Sequence, residues 1–321
     1  MSVVLPVLNE ERHLADAVGS VLAQDYPGPM EIVLALGPST DRTNDVAARL
    51  AEEDPRVRSV RNPTGRTPEG LNAAIAASTH PVVARVDGHS SLPPGYLATA
   101  VELLERTGAD NVGGLMWAEG ASDLEQAIAC AMTSKLGVGN ARFHVGGEEG
   151  PADTVYLGVF RRTALERVGG YDVTFSRAQD WEMNFRIRET GGLVYFTPAL
   201  RVSYRPRPSL PALARQYFHY GRWRREVMRE HPESINLRYL APPIAVLAFA
   251  GGLAADLAGV PWAWILPGGY LALVSAGSVV IGGGLPLSSR LVLPVVLATM
   301  HGAWGLGFLT SVRTYRRPGP R

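Results

Sequence analysis

The chain is poor in cysteine, with Cys130 alone among 321 residues. An intramolecular disulfide is therefore excluded, and we expect Cys130 to be a small buried side chain in a reducing compartment. Net charge is also nearly absent, because 31 Lys and Arg balance 30 Asp and Glu and leave +1. A generic nucleic-acid-binding protein needs a basic surface to neutralise phosphates, so that class is disfavoured and no nucleic-acid partner is expected.

Two common nucleotide-binding signatures are missing as well. The sequence has no G-x-x-x-x-G-K-[ST] phosphate loop and no G-x-G-x-x-G after a strand-like run, which disfavours the usual NTPase and dinucleotide-binding classes. The opening "MSVVLPVLNEE" has no basic region of the kind that begins a secretory signal. We therefore expect the N-terminal part to lie in the cytoplasm.

Charged residues are scarce in the C-terminal part. From Tyr239 to Ser311 the only full charges are Asp256 and Arg290, and the stretch holds apolar segments at 240–257, 262–281 and 291–311. Such segments approach the roughly 20 residues that span a bilayer. Buried core helices are the alternative, but three in succession with frequent glycine favour membrane helices.

The number of membrane crossings is predicted as two or three. Three crossings would place the basic end "VRTYRRPGPR" outside the cell, against the tendency of basic segments to stay inside. Two crossings with one interfacial or re-entrant segment would return it to the cytoplasm. We favour the second arrangement, with 240–257 as the partial segment because it opens with Pro242-Pro243 and carries Asp256.

Short apolar runs alternate with helical patterns in the N-terminal part. The runs are 2–6, 31–36, 57–62 and 81–86, and the clearest helical patterns are 10–24 and 69–78. Four alternations in under ninety residues predict an α/β fold with a mostly parallel sheet wrapped by helices. Ligands of such sheets bind beyond the carboxyl ends of the strands.

Polar residues follow each of these strands and should crowd that rim: Asn9, Glu10, Asp41, Arg66, Asn72 and Asp87. Singly, each can be explained as a helix cap or a turn residue, and Asp41 would cap a helix beginning at "RTNDVAARL". Together they indicate a nucleotide site.

Five motifs in order resemble those of family 2 inverting glycosyltransferases with the GT-A fold. They are "PVLNEE" at 6–11, "STDRT" at 39–43, "GLNAAI" at 70–75, "DGH" at 87–89 and "QDWEMNFRIRETGG" at 179–192. The membrane-associated, succinoglycan-type exopolysaccharide branch looks most similar, and the resemblance covers nearly the whole chain. It implies a GT-A domain, Rossmann-like with helices on both faces, at 1–205, a basic and aromatic interface segment at 206–238, and a membrane domain at 239–321.

The resemblance also implies a donor site and a metal site. Residues expected to bind the nucleotide-sugar are Pro6, Asn9, Glu10, Asp41, Arg66, Asn72 and Asp87. Asp87 and His89 stand where the family carries its Asp-x-Asp motif, and one carboxylate with one imidazole suits Mn²⁺ at least as well as Mg²⁺. The alternative is a glycine-containing turn with an exposed histidine.

An inverting transfer needs a base to take the proton of the acceptor hydroxyl. By the resemblance that base is Asp180, with Gln179 in place of the first acid of the family's Glu-Asp pair. Trp181 and Glu182 are assigned to the acceptor side, with an orienting role as the alternative for Glu182. A helix cap is the alternative for Asp180.

The sequence departs from the family pattern at two places. Leu36-Gly37-Pro38 replaces an Asp pair that contacts the base or ribose in many members, so the nucleotide is open, with a UDP-sugar as the default. Gln216 and Arg222-Trp223 are too far apart for the Gln-x-x-Arg-Trp of processive synthases, so we expect one sugar per encounter. We assign all three to the acceptor side, in a basic, aromatic stretch suited to an anionic membrane surface or a lipid diphosphate. A solvated helical face is the alternative.

Three functions follow for comparison with the structure. The favoured one is a metal-dependent inverting glycosyltransferase at the inner membrane, with a cytoplasmic catalytic domain and a lipid-linked saccharide as acceptor. A polyprenyl-phosphate sugar synthase would need no base, since its acceptor is already anionic. A non-catalytic membrane-tethered scaffold would not need Asp87, His89 and Asp180 together.

Overall fold

The protein was examined as a computed structural model, which describes residues 1–312; the basic end from Arg313 onward lies outside the described residues. The chain divides into two compact units. The first comprises Met1–Trp117 and Gly146–Ser203, and the second comprises Ala118–Val145 with the chain from Tyr204 onward. This division differs from the predicted boundaries in that 118–145 groups with the C-terminal part.

Eight strands form a single sheet in the order β3-β2-β1-β4-β7-β5-β8-β6. Their bounds are β1 Ser2–Val7, β2 Glu31–Leu36, β3 Val57–Arg61, β4 Val82–Arg85, β5 Asn111–Ala118, β6 Gly150–Pro151, β7 Tyr156–Arg161 and β8 Val194–Tyr204. The first four strands are parallel, whereas β7 pairs antiparallel with β4 and β5, and β6 pairs antiparallel with β8. The four parallel strands are those predicted from the sequence.

Helices of the first unit follow the strands in alternation. They are α1 Leu14–Leu22, α2 Thr43–Glu53, α3 Thr67–Ala77, α4 Tyr96–Thr107, α8 Arg162–Arg167 and α9 Gln179–Glu189. Three further helices belong to the second unit: α5 Asp123–Met132, α6 Lys135–Val138 and α7 Arg142–Val145. The predicted helices at 10–24 and 69–78 are thus confirmed as α1, which is shorter than predicted, and α3, which begins two residues earlier and ends one residue earlier.

The parallel strands β1, β2 and β4 are buried on both faces, which explains their largely apolar runs, whereas the edge strand β3 is only partly buried. In β1, Val3 and Leu5 point to the side that carries α1 and α4, whereas Val4 points to the side that carries α3 and α9. Side chains alternate along a strand, so each strand supplies both layers of the core. With helices on both faces, the carboxyl ends of the strands remain the open edge of the sheet.

The C-terminal helices are α10 Leu210–Glu230, α11 Ala241–Leu257, α12 Ile265–Ile281 and α13 Leu287–Leu309, with short 3₁₀ turns at Pro232–Ser234, Leu237–Tyr239 and Pro261–Trp264. Three helical stretches are long and apolar enough to cross a membrane: Leu237–Leu257, Pro261–Ile281 and Leu287–Leu309. The three apolar segments predicted from the sequence are therefore confirmed as helices.

Within the second unit, the backbones of α10 and α13 approach each other closely where the two helices cross. A Cβ on Gly221 would lie 2.0 Å from the carbonyl oxygen of Trp304, and one on Gly307 would lie 2.0 Å from that of Phe218. Only glycine allows so close an approach of two backbones. The two helices consequently pack along a long shared face.

Candidate active site

Three loops at the carboxyl ends of the parallel strands approach so closely that their backbones are nearly in contact. A Cβ on Gly37 would lie 3.0 Å from Leu8 Cδ1 and 3.1 Å from Gly65 Cα, and Gly65 itself has φ of +65°. The Gly37 amide donates to the Val7 carbonyl at 2.8 Å. The sequence marked Leu36-Gly37-Pro38 only as a departure from the family. The structure shows that the glycine lets the loops after β1, β2 and β3 close on one another.

Asn9 joins the loops after β1 and β2. Its Oδ1 accepts from the Thr40 amide at 2.8 Å, and its own amide donates to Ser39 Oγ at 3.1 Å. Asn9 has φ of +56°, a left-handed conformation that asparagine tolerates better than most residues. Pro6 lies just before this turn, paired with Ala35 of β2 and partly buried.

Asp41 secures the start of α2. Its Oδ1 accepts from the Thr43 amide at 3.1 Å and from the Thr43 hydroxyl at 2.5 Å, while Oδ2 accepts from the Glu11 amide at 3.3 Å. These bonds, the Thr43 hydroxyl first, lower the pKa of Asp41. The helix-start alternative therefore describes Asp41 well. It also lines, with Asn9, a surface cavity of about 260 Å³.

Arg66 and Asn72 hold the segment after α8. Arg66 donates to the Val173 carbonyl and pairs with Glu69 at 2.9 Å. The Asn72 amide nitrogen donates to the Tyr171 carbonyl at 2.7 Å, and its oxygen accepts from the Tyr171 amide at 2.8 Å. Both ends of the amide are thus used within the protein. This geometry does not support the predicted donor contact of Asn72, whose role here is to fix the turn at Tyr171.

The Asp-Gly-His turn after β4 lies against Glu10. His89 Nδ1 is 2.8 Å from Glu10 Oε1, and a Cβ on Gly88 would lie 3.1 Å from Glu10 Cγ. The His89 side chain is 53% exposed, whereas Glu10 is only 17% exposed. Glycine at the middle position therefore lets two motifs predicted separately, "PVLNEE" and "DGH", come together.

The donor atoms of this turn fit a divalent cation shared with a ligand. Asp87 and His89 offer an oxygen and a nitrogen, and Glu10 adds a carboxylate beside the imidazole. Mn²⁺ accepts such a mixed set, and both Mn²⁺ and Mg²⁺ commonly complete their coordination with phosphate oxygens and water. Within residues 1–312 no group of three or more His, Cys, Asp or Glu side chains is arranged to hold a metal by itself. A cation at this turn would therefore need further ligands beyond these side chains.

Arg85, the last residue of β4, joins the two predicted centres. Its Nε and Nη2 donate to Asp87 Oδ1 at 3.1 and 2.9 Å, and its Nη1 pairs with Asp180 Oδ1. The Arg85 side chain is only 8% exposed. Burial opposes its charge most strongly, but Asp87 together with Tyr171 and Tyr156 outweighs burial, so the pKa of Arg85 is raised above its ordinary value. Sequence reasoning missed Arg85, although a single arginine inside the apolar run "PVVARV" was the available signal.

Asp180 lies at the start of α9 without capping it. The residue that precedes α9 is Ala178, in the left-handed conformation at φ of +60°, and no side chain caps the helix. Asp180 is 41% exposed and pairs with Arg85. The helix-cap alternative is therefore not what the structure shows, and the carboxylate is held by an ion pair with one side open.

Trp181 and Glu182 point into the protein. Trp181 is 7% exposed and stacks on Phe185 with ring centroids 5.3 Å apart. Glu182 is fully buried and pairs with Arg186 at 2.5 and 2.7 Å. Arg186 also donates to the Gly170 carbonyl at 2.9 Å. A carboxylate enclosed in this way braces the turn before α9, so the geometry does not support the predicted acceptor role of Glu182, nor that of Trp181.

The remaining acceptor candidates lie on α10 in the second unit. Gln216 is 7% exposed, and its amide nitrogen donates to the hydroxyls of Tyr204 and Tyr220 at 2.9 and 2.7 Å. Arg222 accepts through its carbonyl from the Ser311 hydroxyl at 3.2 Å, and both Arg222 and Trp223 are partly buried. Gln216 therefore organises a polar cluster within its own unit.

Comparison with known proteins agrees with these features. The sequence profile described as Glycosyl transferase family 2 matches residues 2–169. The succinoglycan biosynthesis protein ExoA of Rhizobium meliloti (strain 1021) is 34% identical over 321 residues, covering 98% of this chain and 96% of that protein. A dolichyl N-acetyl-alpha-D-glucosaminyl phosphate 3-beta-D-2,3-diacetamido-2,3-dideoxy-beta-D-glucuronosyltransferase of Methanococcus voltae is 24% identical over 230 residues, covering 69% of this chain and 71% of that protein.

Solved structures give the same fold. The mannosyltransferase PcManGT from Pyrobaculum calidifontis, in complex with GDP-Man and Mn²⁺, matches with a TM-score of 0.63 at 21% identity, covering 97% of this chain and 86% of that one. At this identity the likeness bears on the fold, which is GT-A-like.

Proposed function

The chain belongs to glycosyl transferase family 2, and we propose that this glycosyltransferase moves a sugar from a nucleotide-sugar to a hydroxyl of a lipid-linked saccharide. The transfer inverts the anomeric centre, adds one sugar per encounter and serves the synthesis of a cell-surface polysaccharide or glycolipid. The names of the two relatives support this setting, since one acts in succinoglycan biosynthesis and the other on a dolichyl-phosphate-linked sugar.

The observation that carries the proposal is the buried guanidinium of Arg85 between Asp87 and Asp180. One carboxylate belongs to the turn expected to bind the donor diphosphate, and the other is the expected base. In an inverting displacement the donor and the acceptor hydroxyl must meet in line, so the groups that serve them have to lie close together. A single arginine that contacts both carboxylates supports such a spacing.

On the donor side, Asp87 and His89 would hold Mn²⁺ or Mg²⁺ together with the diphosphate. When bound, the cation supplies stabilisation of the negative charge that develops on the leaving diphosphate. Asn9 and Gly37 shape the neighbouring loops, and Arg66 adds a positive charge at the same rim. The nucleotide is proposed as UDP by default, and the fold neighbour with GDP-Man gives reason to test GDP-sugars as well.

On the acceptor side, Asp180 takes the proton of the attacking hydroxyl. The ion pair with Arg85 keeps one carboxylate oxygen of Asp180 in place. A base held by a buried partner is also fixed in direction, and orientation is a large part of what a general base contributes.

The second unit is proposed to attach the enzyme to the inner membrane, with the catalytic unit in the cytoplasm. Three apolar helices support membrane association. A lipid-linked acceptor would then be presented at the surface where the enzyme sits. Gln216, Arg222 and Trp223 stay proposed as residues on the acceptor side, as part of the basic, aromatic α10.

The test is release of nucleoside diphosphate by the full-length protein in detergent, with a lipid extract as the acceptor source. A panel of UDP- and GDP-sugars is assayed with Mn²⁺, with Mg²⁺ and with a chelator. We expect one donor to be consumed only when both metal and lipid are present, and product analysis should give the inverted anomer. Calorimetric titration of the nucleoside diphosphate measures donor-site binding without turnover.

Two results would contradict the proposal in different ways. Release that is unaffected by Asp180→Asn, with a sugar found directly on a lipid phosphate, would favour a polyprenyl-phosphate sugar synthase. Absence of metal-dependent nucleotide binding would favour the scaffold. The variant Asp153→Asn serves as control, because this half-exposed carboxylate pairs with Arg188 of α9.

A further inference from the structure

Helix α13 differs from the other two apolar helices in how much of it is covered. Of the most apolar stretch of each candidate span, 33% is buried for Leu287–Leu309, against 11% for Leu237–Leu257 and 11% for Pro261–Ile281. The buried positions of α13 lie against helices that carry charged residues, and these contacts occur at both of its ends.

The first end of α13 is tied to α5. The Ser289 hydroxyl is fully buried, 3.1 Å from Asp123 Oδ1 and 3.2 Å from Gln126 Oε1. The first turn of α5 carries Asp123, Glu125 and Gln126, with a capping box between Ser122 and Glu125. The first turn of α13 therefore lies beside ionised and amide side chains.

The last turn of α13 is tied to α10. Arg225 donates to the carbonyls of Phe308 and Leu309 at 2.7 Å each, and Arg229 donates to that of Ser311 at 2.8 Å. The last carbonyls of a helix have no partner inside it and carry its negative dipole end, so arginines satisfy both needs. This end of α13 also lies beside fully charged side chains.

Both α5 and α10 are joined to the catalytic unit and are unsuited to cross a membrane. The stretch that contains α5, Ala118–Val145, leaves the first unit and returns to it, and its ten-residue helix is too short to span a bilayer. Helix α10 follows directly from β8 and carries Arg215, Arg222, Arg224, Arg225 and Arg229. Such a helix is costly at the centre of a bilayer.

We propose that α13 lies along the membrane surface on the catalytic side, and that only α11 and α12 cross as a hairpin. A 23-residue helix is about 34 Å long, so a crossing α13 would place its ends at opposite faces of the bilayer. Its ends instead contact two helices of the same side. Halfway along, the His301 Nε2 lies 2.9 Å from the carbonyl oxygen of Leu136, which belongs to the same returning segment.

The exposed side chains of α13 give it a lipid-facing stripe. Leu287, Leu291, Val295 and Leu306 are 48–71% exposed and fall at helical spacing on one side. The opposite face of α13 is covered within the second unit by packing of Leu293, Val296, Leu297 and Met300. The occupant of the stripe is therefore the acyl region of one leaflet.

The hairpin of α11 and α12 has its two ends on the polar side and its turn away from it. Arg238, just before α11, donates to Asn140 Oδ1 at 2.6 Å, and Cys130 Sγ lies 3.4 Å from the Ile281 carbonyl at the end of α12. The turn between the helices exposes Trp262 and Trp264 by 70% and 58%. Tryptophan is enriched where a helix meets the membrane interface, as expected for the far end of a crossing hairpin.

This arrangement differs from the sequence-based expectation that 240–257 is the partial segment. In the sequence, Pro242-Pro243 and Asp256 indicated that 240–257 does not cross completely. In the structure, the contacts of Ser289 and Ser311 indicate instead that α13 is the helix that does not cross. Four arginines follow Ser311 in the sequence, and a non-crossing α13 leaves them on the catalytic side, in line with the charge rule for cytoplasmic segments.

The test is labelling of single cysteines in the full-length protein in sealed membrane vesicles. Cys130→Ser, which keeps a small donor toward Ile281, provides the background. Cysteines are then placed singly at Glu105 in the catalytic unit, at Ala258 in the α11–α12 turn, at Gly284 in the α12–α13 turn and at Thr310 after α13, all exposed positions. A membrane-impermeant maleimide is applied to vesicles of either orientation.

We expect positions 105, 284 and 310 to label from one face and position 258 from the other. Labelling of 310 together with 258 would overturn the proposal, because α13 would then cross. Labelling of all four from one face would overturn the hairpin. Thermal unfolding of each variant in detergent, compared with the background protein, shows whether the fold is kept.

The inference rests on the proposed membrane association and is independent of the transfer reaction. Alkaline carbonate extraction of the vesicles separates the two failures. Release of the protein into the supernatant would contradict the proposed membrane association itself. Retention of the protein in the membrane, with positions 310 and 258 labelled from the same face, would contradict only the proposed topology. Nucleoside diphosphate release bears on neither outcome.

Discussion

The amino and carboxyl ends of the parallel strands each carry an ion-pair network, and the two networks differ in their ratio of hydrogen-bond donors to carboxylates. At the amino ends, the single carboxylate of Glu31 accepts from Ser2 at 2.7 Å, from the Thr79 amide at 2.6 Å and from Arg58 at 2.8 Å. At the carboxyl ends, the single guanidinium of Arg85 is shared by Asp87 and Asp180. Donors exceed acceptors at the first end, and negative charge exceeds positive at the second.

This difference separates a stabilising cluster from the cluster that we propose to be functional. The hydrogen bonds of the Glu31 carboxylate are made within the protein, so this network gives no indication of a bound ligand. The Arg85 network leaves one net negative charge at the open edge of the sheet, and His89 and Glu10 lie next to it. A cation bound with a diphosphate, or a proton arriving from an acceptor, would relieve that imbalance.

Asp180→Asn should have the largest effect on transfer. Asparagine keeps the shape of the side chain but cannot take a proton, so we expect kcat to fall by about 10²- to 10⁴-fold. Donor affinity, measured by calorimetry with nucleoside diphosphate and Mn²⁺, should stay within about twofold of the wild type. Asp153→Asn should change neither quantity. An equal loss of donor binding in Asp180→Asn and Asp87→Ala would contradict the separate roles.

Arg85→Lys should reduce kcat by about 10²-fold, because a lysine cannot contact two carboxylates in the forked manner of a guanidinium. Arg85→Gln should be more severe, and the order Arg, Lys, Gln in kcat at little-changed KM would identify a positioning residue. Thermal unfolding is measured alongside. If both variants lost activity only in proportion to lost folded protein, Arg85 would be a structural residue.

Asp87→Ala should weaken metal-dependent donor binding by about 10- to 100-fold, as expected when a metal contact is removed. His89→Ala should weaken it as well, and a chelator should bring wild-type binding down to the level of both variants. Calorimetry of nucleoside diphosphate with and without Mn²⁺ gives the comparison. Binding that does not change with metal in the wild-type protein would show that Asp87 and His89 form a turn only.

Glu31→Gln should leave transfer unchanged and lower stability. Burial alone would raise the pKa of Glu31, but the bonds from Ser2, Thr79 and Arg58 outweigh it and lower the pKa to about 2. A carboxylate with a depressed pKa stabilises the fold above its unfolded value of about 4.3, and the contribution is lost as pH falls toward 2. We expect a loss of roughly 1–3 kcal/mol at pH 7, since the side chain is 14% exposed.

The pH dependence gives the check on that prediction. The gap in melting temperature between wild type and Glu31→Gln should be constant from pH 8 to about pH 5 and shrink below it, because the Glu31 carboxylate of the unfolded chain begins to take up protons while that of the folded protein stays ionised. A gap that persists unchanged to pH 3 would mean that Glu31 contributes through packing and not through charge. Activity that falls with Glu31→Gln would break the contrast between the two ends of the sheet.

Sequence patterns could predict the parallel half of the sheet well. The runs ending at Pro6, Leu36 and Val86 are largely apolar on both faces, and that signal is local. The antiparallel partner β7 and the grouping of Ala118–Val145 with the C-terminal helices depend on contacts between residues far apart in sequence. No periodicity within one segment encodes such pairings.

The site shows the same limit at the level of side chains. The rim position of Asn9, Asp87 and Asp180 follows from strand ends and motifs, but what each side chain bonds to does not. Glu182 and Asn72 resemble functional residues by type and position, yet Arg186 and the Tyr171 backbone take up their polar groups. Arg85 resembles an interruption of a strand, yet it connects both halves of the site.

The left-handed Asn9 has a consequence for the entropy of binding. Its bonds to Ser39 and Thr40 fix the loops after β1 and β2 to each other before any ligand arrives. A loop that is ordered on folding has little freedom left to lose on binding, so more of the contact energy with a donor is available as affinity. In the proposed donor site, Asn9 thus lets the two loops lose their conformational freedom once, on folding, and not each time a donor binds.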